Sequence, residues 1–235
     1  MQNSVIRLTL VISLLAAVVS YAGKTEPSVP VGSLRATPTM VQVGTLPGLS
    51  WSIQYPNTII DVIDVVPPGK IIPKEDLYMD VRVLGAAYQI GTNTWGLVES
   101  NVKIASGTYT RFFYDRQNNV NPTKIMYTRL VKKNDTINFK SRCNSGSSWK
   151  SYYSTEATNQ NVAALVNGDA PPTYVPAFSQ GSVESYLRPY LASDGRINIG
   201  PLDVIYLFEL GQTQINSGFD MQDLVLLVTF RRVKT

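Results

Sequence analysis

Residues 200–233 decide the fold and read GPLDVIYLFELGQTQINSGFDMQDLVLLVTFRRV. The stretch holds two apolar runs, Pro201–Leu210 and Leu224–Phe230, joined by a polar connector rich in Gly, Gln, Asn and Ser. Both runs are rich in β-branched and aromatic residues, and both are too short to span a bilayer as helices. The stretch therefore predicts two β-strands.

The two runs differ in how their apolar residues are distributed. Since successive side chains of a strand point to opposite faces, the first run has two predicted faces: Leu202, Val204, Tyr206 and Phe208 on one, and Asp203, Ile205, Leu207 and Glu209 on the other. The second run is apolar at almost every position, which predicts a central strand that is covered on both faces.

Shorter runs of the same kind occupy much of the chain upstream. Alternation or β-type composition predicts strands within Ser50–Tyr55, Thr58–Val66, Leu77–Tyr88, Trp95–Ile104, Thr108–Tyr114, Lys124–Lys132 and Thr136–Arg142. Turn residues at 105–107 and at Asn134-Asp135 predict that the last four of these pair as two hairpins. Short strands with turns at this spacing favour an all-β sandwich.

The predicted domain organisation is one sandwich domain over residues 46–235, with an insertion over residues 144–194 that precedes the last two core strands. The insertion is expected to consist of loops and short helices. Val162–Val166 is predicted as a short helix that Gly168 ends, and residues 182–192 as a second helix that Pro189 ends or kinks.

The N-terminus has the pattern of a secretory signal peptide over residues 1–22. A single cation, Arg7, precedes the short apolar run Leu8–Val19, and Ser20 and Ala22 are the small residues before a cut at Gly23. We therefore expect an exported protein with no stable transmembrane anchor. Residues 23–45, rich in Pro and Gly, are predicted to be a flexible lead or an edge strand.

Composition excludes several kinds of chemistry. The chain has no histidine and one cysteine, Cys143, so His-based triads, His-ligated metals and thiolate metal sites are excluded, as is an intrachain disulfide. Net charge is +4, and loss of Arg7 with the leader leaves +3, which does not indicate nucleic-acid binding. We predict a non-enzymatic protein with no catalytic residue, cofactor or metal. The polar neighbourhood of Cys143 favours an exposed thiol, which is either inert or bridged to a second molecule.

Two pairs of aspartates are spaced by three residues. They are Asp61 with Asp64, and Asp220 with Asp223. On a strand this spacing places the two groups on opposite faces, whereas in a bend they could converge on a cation. We expect the aspartates of each pair to be solvated or to cap a turn.

The candidate binding residues lie in Ser141–Ser154. Rigid aromatic side chains are set there among Ser, Asn and Gly, beside basic residues, a composition typical of recognition loops. The candidates are Trp149, Tyr152, Tyr153, Lys150 and Arg142. Such rings stack on sugars, and the cations pair with acidic glycans. The alternative is that this loop folds over an end of the sandwich and buries its rings.

Several strings of the chain resemble a group of exported verrucomicrobial proteins, which includes an immunoglobulin-like (Ig-like) protein encoded beside type IV pilus and secretion components. The strings are Leu49–Ile53, Asp76–Gly85, Asp203–Gly211 and Phe219–Phe230. The resemblance implies an Ig-like β-sandwich, export to the periplasm, outer membrane or cell surface, and pilus or secretion-system proteins as partners. It supplies no functional residue.

Two functions therefore remain open at the level of sequence. The first is an exported structural or interaction protein of a type IV pilus or secretion assembly at the cell envelope or surface. The second is an adhesin that binds host or matrix glycans, or another ligand, through residues 141–154.

Overall fold

Thirteen strands form antiparallel sheets in the residues that the computed structural model describes, namely 31–37, 48–54, 58–91, 94–172, 186–214, 216 and 218–233. They are β1 (Val31–Thr37), β2 (Gly48–Gln54), β3 (Ile63–Val66), β4 (Lys70–Pro73), β5 (Leu77–Gly85), β6 (Val98–Ile104), β7 (Thr110–Asp115), β8 (Ile125–Val131), β9 (Ile137–Cys143), β10 (Tyr153–Ser154), β11 (Val162–Val166), β12 (Asp203–Phe208) and β13 (Leu224–Arg232). One helical turn, α1 (Ile59–Val62), precedes β3.

Two of the sheets make an all-β sandwich. The six-stranded sheet has the order β3-β4-β9-β6-β7, with β10 also paired to β9, and the five-stranded sheet has the order β11-β12-β13-β5-β8. The third sheet is the pair β1-β2, whose strand β1 lies in the segment predicted as a lead or edge strand. The predicted signal peptide lies outside the described residues.

The fold-deciding stretch has the predicted arrangement. Strands β12 and β13 are adjacent, with Tyr206 opposite Leu226. The core between the two sheets contains Val204, Tyr206 and Phe208 from β12 and Leu224, Leu226, Val228 and Phe230 from β13. The other face of the same strands, with Ile205, Leu207, Val225 and Leu227, packs in a second cluster under Leu187, Ile197, Phe219 and Met221. Strand β13 is therefore central and covered on both faces, as predicted.

A hairpin is tied to this core through Tyr206. Its hydroxyl, fully buried, donates a hydrogen bond of 2.5 Å to the carbonyl of Gly69 in the turn between β3 and β4. A Cβ atom at Gly69 would lie 2.8 Å from the Tyr206 ring, so this close approach requires glycine.

One of the two predicted hairpins is present and the other is wrong. Strands β6 and β7 pair as predicted. Strands β8 and β9 are both formed, but β8 pairs with β5 at the edge of the five-stranded sheet, whereas β9 lies inside the six-stranded sheet. The Asn134-Asp135 turn therefore crosses from one sheet to the other, which alternation within each strand does not reveal.

The predicted helices also need correction. Residues 162–166 form β11 at the edge of the five-stranded sheet, because each of these residues pairs with a residue of β12. Segment 144–194 thus contributes β10 and β11 to the sheets. Residues 182–185 lie outside the described residues, and Arg188–Tyr190 form one 3₁₀ turn. Within Thr58–Val66 a capping box of Thr58 and Asp61 starts α1 before β3.

Among the described residues, no helix is both long and apolar enough to cross a membrane.

Candidate ligand-binding face

The outer face of the six-stranded sheet carries basic and aromatic side chains because of the alternation of β6 and β9. In β9, Ile137, Phe139, Ser141 and Cys143 are buried, so Lys140 and Arg142 project outward. In β6, Val98, Ser100 and Val102 point inward, and Glu99, Asn101 and Lys103 face the other way.

A β-bulge adds two further residues from β7 to this face. Ser100 pairs with Phe113 but Asn101 pairs with Arg111, so Phe112 is the extra residue. Phe112 and Phe113 are consequently both buried. Arg111 and Tyr114 then share the outer face, although strict alternation places them on opposite faces.

Four rings and four cations form one continuous series of contacts across this surface, which we call the cation–aromatic face. Its members are Lys103, Tyr109, Arg111, Tyr114, Lys140, Arg142, Trp149 and Tyr152. The distances from charged group to ring centroid are 5.2 Å for Lys103 to Tyr109, 4.2 Å for Lys140 to Tyr109, 4.2 Å for Lys140 to Tyr152, 4.4 Å for Arg142 to Tyr152, 4.5 Å for Arg142 to Trp149 and 4.7 Å for Arg111 to Tyr114. The rings of Tyr114 and Trp149 are 5.8 Å apart, which joins the last two members to the rest.

Glu99 holds the centre of the face. Its carboxylate accepts a 2.9 Å hydrogen bond from Arg142 Nε, forms an ion pair with Arg142 Nη2 at 2.7 Å and is hydrogen-bonded to Tyr152. Burial acts to raise the pKa of Glu99, but the hydrogen bonds from Arg142 and Tyr152 outweigh burial and leave the pKa below its ordinary value. Glu99 therefore stays ionised and fixes the guanidinium against its two rings.

Glu156 has the same role at one end of the face. It forms an ion pair with Lys103 and accepts a 2.8 Å hydrogen bond from the hydroxyl of Tyr109. The hydrogen bond from Lys103 is the main reason that the pKa of Glu156 lies below its ordinary value. Burial and the nearby carboxylate raise the pKa of Tyr109 to about 12, so the phenol stays neutral.

Three of the five residues predicted from the sequence belong to the face: Arg142, Trp149 and Tyr152. Lys150 is exposed, and none of the rings in the described part of the chain lies beneath its ammonium group. Tyr153 pairs with Ser141 and turns inward to pack against the core. Sequence reasoning missed the contributions of β6 and β7, because pairing of β9 with β6 brings them beside Arg142.

At one end of the sandwich, two carboxyl groups lie next to each other. Glu209 and Asp223 both accept a hydrogen bond from the amide of Gly211, at 3.3 Å and 2.9 Å, and they are hydrogen-bonded to each other. Burial and the adjacent Glu209 raise the pKa of Asp223 well above its ordinary value. The protonated form of Asp223 is therefore favoured beside Glu209, a pairing that their separation in sequence did not suggest.

This carboxyl pair organises the connector between β12 and β13. Glu209, 1% exposed, accepts backbone hydrogen bonds from Gly211, Gln212, Asp220 and Met221. Asp223 accepts a further bond from Leu210 at 2.7 Å. With Tyr88 and Trp95 the pair lines a cavity of about 310 Å³. Because both carboxyl groups are engaged by the backbone, their evident role is structural.

The remaining aspartates of the two predicted pairs do not converge on a cation. Asp61 accepts hydrogen bonds from Thr58, and Asp64 forms an ion pair of 2.9 Å with Lys74. Asp220 accepts a hydrogen bond from the amide of Gln222. The described residues contain no group of three or more His, Cys, Asp or Glu side chains arranged to hold a metal ion.

The prediction that Cys143 is exposed is wrong. Its thiol is fully buried at the inner face of β9 and donates a 3.4 Å hydrogen bond to the carbonyl of Leu210. Burial raises the pKa of the thiol to about 12, so the reactive thiolate is disfavoured. The polar residues that follow Cys143 lie beyond the end of the strand and do not expose it.

Comparison of the chain with protein-family models, with curated proteins and with solved structures found no match.

Proposed function

We propose that the protein is an exported, non-enzymatic binding protein that holds a saccharide on its cation–aromatic face. The observation that carries this proposal is the continuous series of contacts among four rings and four cations on one face of a sheet. The proposal keeps the predicted use of Arg142, Trp149 and Tyr152, and replaces a loop as the binding element with the face of a sheet.

The composition of the face supports binding over a purely structural role. An exposed cation–π contact contributes only about 0.5–1 kcal/mol to stability, and the buried core between the sheets is already extensive. Trp, Tyr and Arg are the residues that most often dominate binding energy. Tyr114, 45% exposed, and Arg111 remain accessible at the edge of the face.

The geometry suits an extended chain. The face crosses β7, β6 and β9, whose spacing of about 4.8 Å gives a row of side chains rather than a deep pocket. Rings that lie on such a row offer stacking surfaces, and the cations between them offer hydrogen-bond donors. A saccharide chain has both apolar ring faces and hydroxyl groups, so it fits this mixture of rings and donors.

A glycan array with matched variants tests this function. We expect wild-type protein to give signals that Trp149→Ala and Tyr152→Ala abolish. Tyr78→Ala is the control, because Tyr78 is 37% exposed on the five-stranded sheet and has the Arg231 guanidinium 5.3 Å from its ring. Circular dichroism and thermal unfolding confirm that each variant is folded. If both face variants bind as wild type does, the cation–aromatic face is not the site.

The setting that we propose for this binding is the cell envelope or cell surface, beside a type IV pilus or secretion assembly. Its support is the signal-peptide pattern of residues 1–22 and the strings that resemble exported pilus-associated proteins. Crosslinking of the native protein in its own cell envelope, followed by pull-down, tests the setting. Recovery of pilus or secretion proteins is expected, and their absence from the crosslinked material would exclude this setting.

A further inference from the structure

The four cations of the cation–aromatic face fall into two classes. Arg142 is neutralised by Glu99, and Lys103 by Glu156. Lys140 and Arg111 form no ion pair with any of the described residues. Four cations against two carboxylates leave the face with two uncompensated positive charges, and both are at these positions.

The sheet register places the two uncompensated cations on one row. Asn101 of β6 is opposite Lys140 of β9 on one side and opposite Arg111 of β7 on the other. Two strand spacings separate them, so their Cα atoms are about 10 Å apart. Asn101, 5% exposed, lies beneath this row and donates a 3.4 Å hydrogen bond to Glu99.

The polar hydrogens of both cations remain available. The Lys140 ammonium contacts the rings of Tyr109 and Tyr152 but donates no hydrogen bond to the described residues, and it acts on Glu156 only through its charge. Arg111 is exposed and covers one ring, that of Tyr114. An ammonium group has three N–H donors and a guanidinium has five, and both bind carboxylate or sulfate oxygens.

We infer that Lys140 and Arg111 form an anion-binding row and that the ligand of this face is an acidic saccharide chain, carboxylated or sulfated. The inference rests on the proposed function and adds the charge class of its ligand. Anionic groups of the chain contact Lys140 and Arg111, while its sugar rings lie against the neighbouring aromatic side chains. Arg142 and Lys103, each held by a carboxylate, position those rings.

Two matched pairs of polymers test the charge class. Polygalacturonate is compared with its fully methyl-esterified form, and dextran sulfate with dextran, by biolayer interferometry on the full chain. We expect each acidic polymer to bind at least about tenfold more tightly than its neutral partner, and the difference to shrink as salt is raised. Equal binding within both pairs overturns the inference and leaves the proposed function standing, whereas no binding to any saccharide overturns the proposed function itself.

Substitutions at Lys140 and Arg111 test whether these two residues bind the anionic groups of the ligand. Lys140→Gln with Arg111→Gln is expected to weaken binding of the acidic polymers at least about tenfold, the loss expected from two solvent-exposed ionic contacts. The control Lys133→Gln removes an exposed cation from the turn between β8 and β9 and should leave binding unchanged. Equal losses in the two variants would show a general charge effect and overturn the row.

A single-stranded oligonucleotide completes the set of probes, because phosphates and bases also combine anions with stacking surfaces. We expect it to bind more weakly than the acidic saccharides at the same salt concentration. Binding as tight as theirs would overturn the assignment to a saccharide.

Discussion

The outer face of the six-stranded sheet and the connector between β12 and β13 use carboxylates in opposite ways. On the face, Glu99 and Glu156 are paired with Arg142 and Lys103, and their pKa values are lowered. At the connector, Asp223 is paired with Glu209, another carboxyl group, and the pKa of Asp223 is raised. The same kind of side chain is thus held ionised in one region and protonated in the other.

The difference shows that the partner of a carboxyl group decides the direction in which its pKa shifts. A carboxylate beside a cation is an anchor that keeps the cation in place at neutral pH. Burial and a neighbouring carboxyl group together favour the protonated form, and both groups of the connector pair accept hydrogen bonds from backbone N–H groups. The cation–aromatic face therefore carries charged side chains, whereas the connector favours the neutral form of Asp223.

The largest expected effect is that of Glu209→Ala. Because four backbone N–H groups lose their acceptor in a buried site, we expect the free energy of unfolding to fall by about 3 kcal/mol. Urea denaturation measures the change. The matched change on the face, Glu156→Ala, removes an exposed carboxylate and should cost less than about 1 kcal/mol. Similar losses of unfolding free energy in Glu209→Ala and Glu156→Ala would contradict the difference between the connector and the face.

The second effect is a pH dependence that comes from Asp223. Its folded-state pKa is raised above that of the unfolded chain, about 3.9, so its contribution is complete below that pH and is lost as pH rises through the folded value. We expect the free energy of unfolding to decline in urea titrations as pH rises above the unfolded-state value. Asp223→Asn should flatten the decline, and an unchanged slope would show that the proton lies elsewhere.

A third, smaller effect of opposite sign is expected at Glu99. Its folded pKa is lowered, so its contribution is present above the unfolded pKa of about 4.3 and is lost as pH falls through the folded value. Glu99→Gln should reduce the free energy of unfolding by about 1.5 kcal/mol at pH 7, since the Arg142 guanidinium loses a charged acceptor. The cost should vanish in acid, and a cost that persists at low pH would point to packing instead.

The smallest effect is expected for Arg142→Lys. Lysine keeps the charge near Glu99, but it lacks the planar group that contacts both Trp149 and Tyr152. We expect a loss of about 0.5–1 kcal/mol in thermal or urea unfolding. Lys133→Arg, away from the face, is the neutral control. A loss no larger than that of the control would mean that the stacked guanidinium contributes nothing measurable.

Much of the sandwich was predictable from local pattern. The alternation in Asp203–Phe208 assigned its two faces correctly, and Leu224–Phe230, apolar at almost every position, is the covered central strand. Small turn residues at 105–107 correctly joined β6 to β7. These features succeeded because the period of a strand and the chemistry of a short turn are local properties.

The candidate site was predictable only in part. Arg142, Trp149 and Tyr152 lie within eleven consecutive residues, so composition identified them. Arg111 and Tyr114 share their face only because Phe112 is a bulge residue, and both Phe112 and Phe113 are buried. A bulge shifts the alternation by one residue, and the partner strand that accommodates it is distant in sequence.

By itself the sequence determined that the chain is a β-protein, where most of its longer strands lie and which residues of β12 and β13 face the core, because backbone pleating turns residue type directly into burial. The tertiary structure alone decided that β8 and β9 belong to different sheets, that Glu209 meets Asp223, and that Lys140 and Arg111 flank Asn101 on one row. Each of these depends on which strands become neighbours. In these cases the neighbours are set by the packing of the whole core and not by the intervening turn, so local pattern does not reveal them.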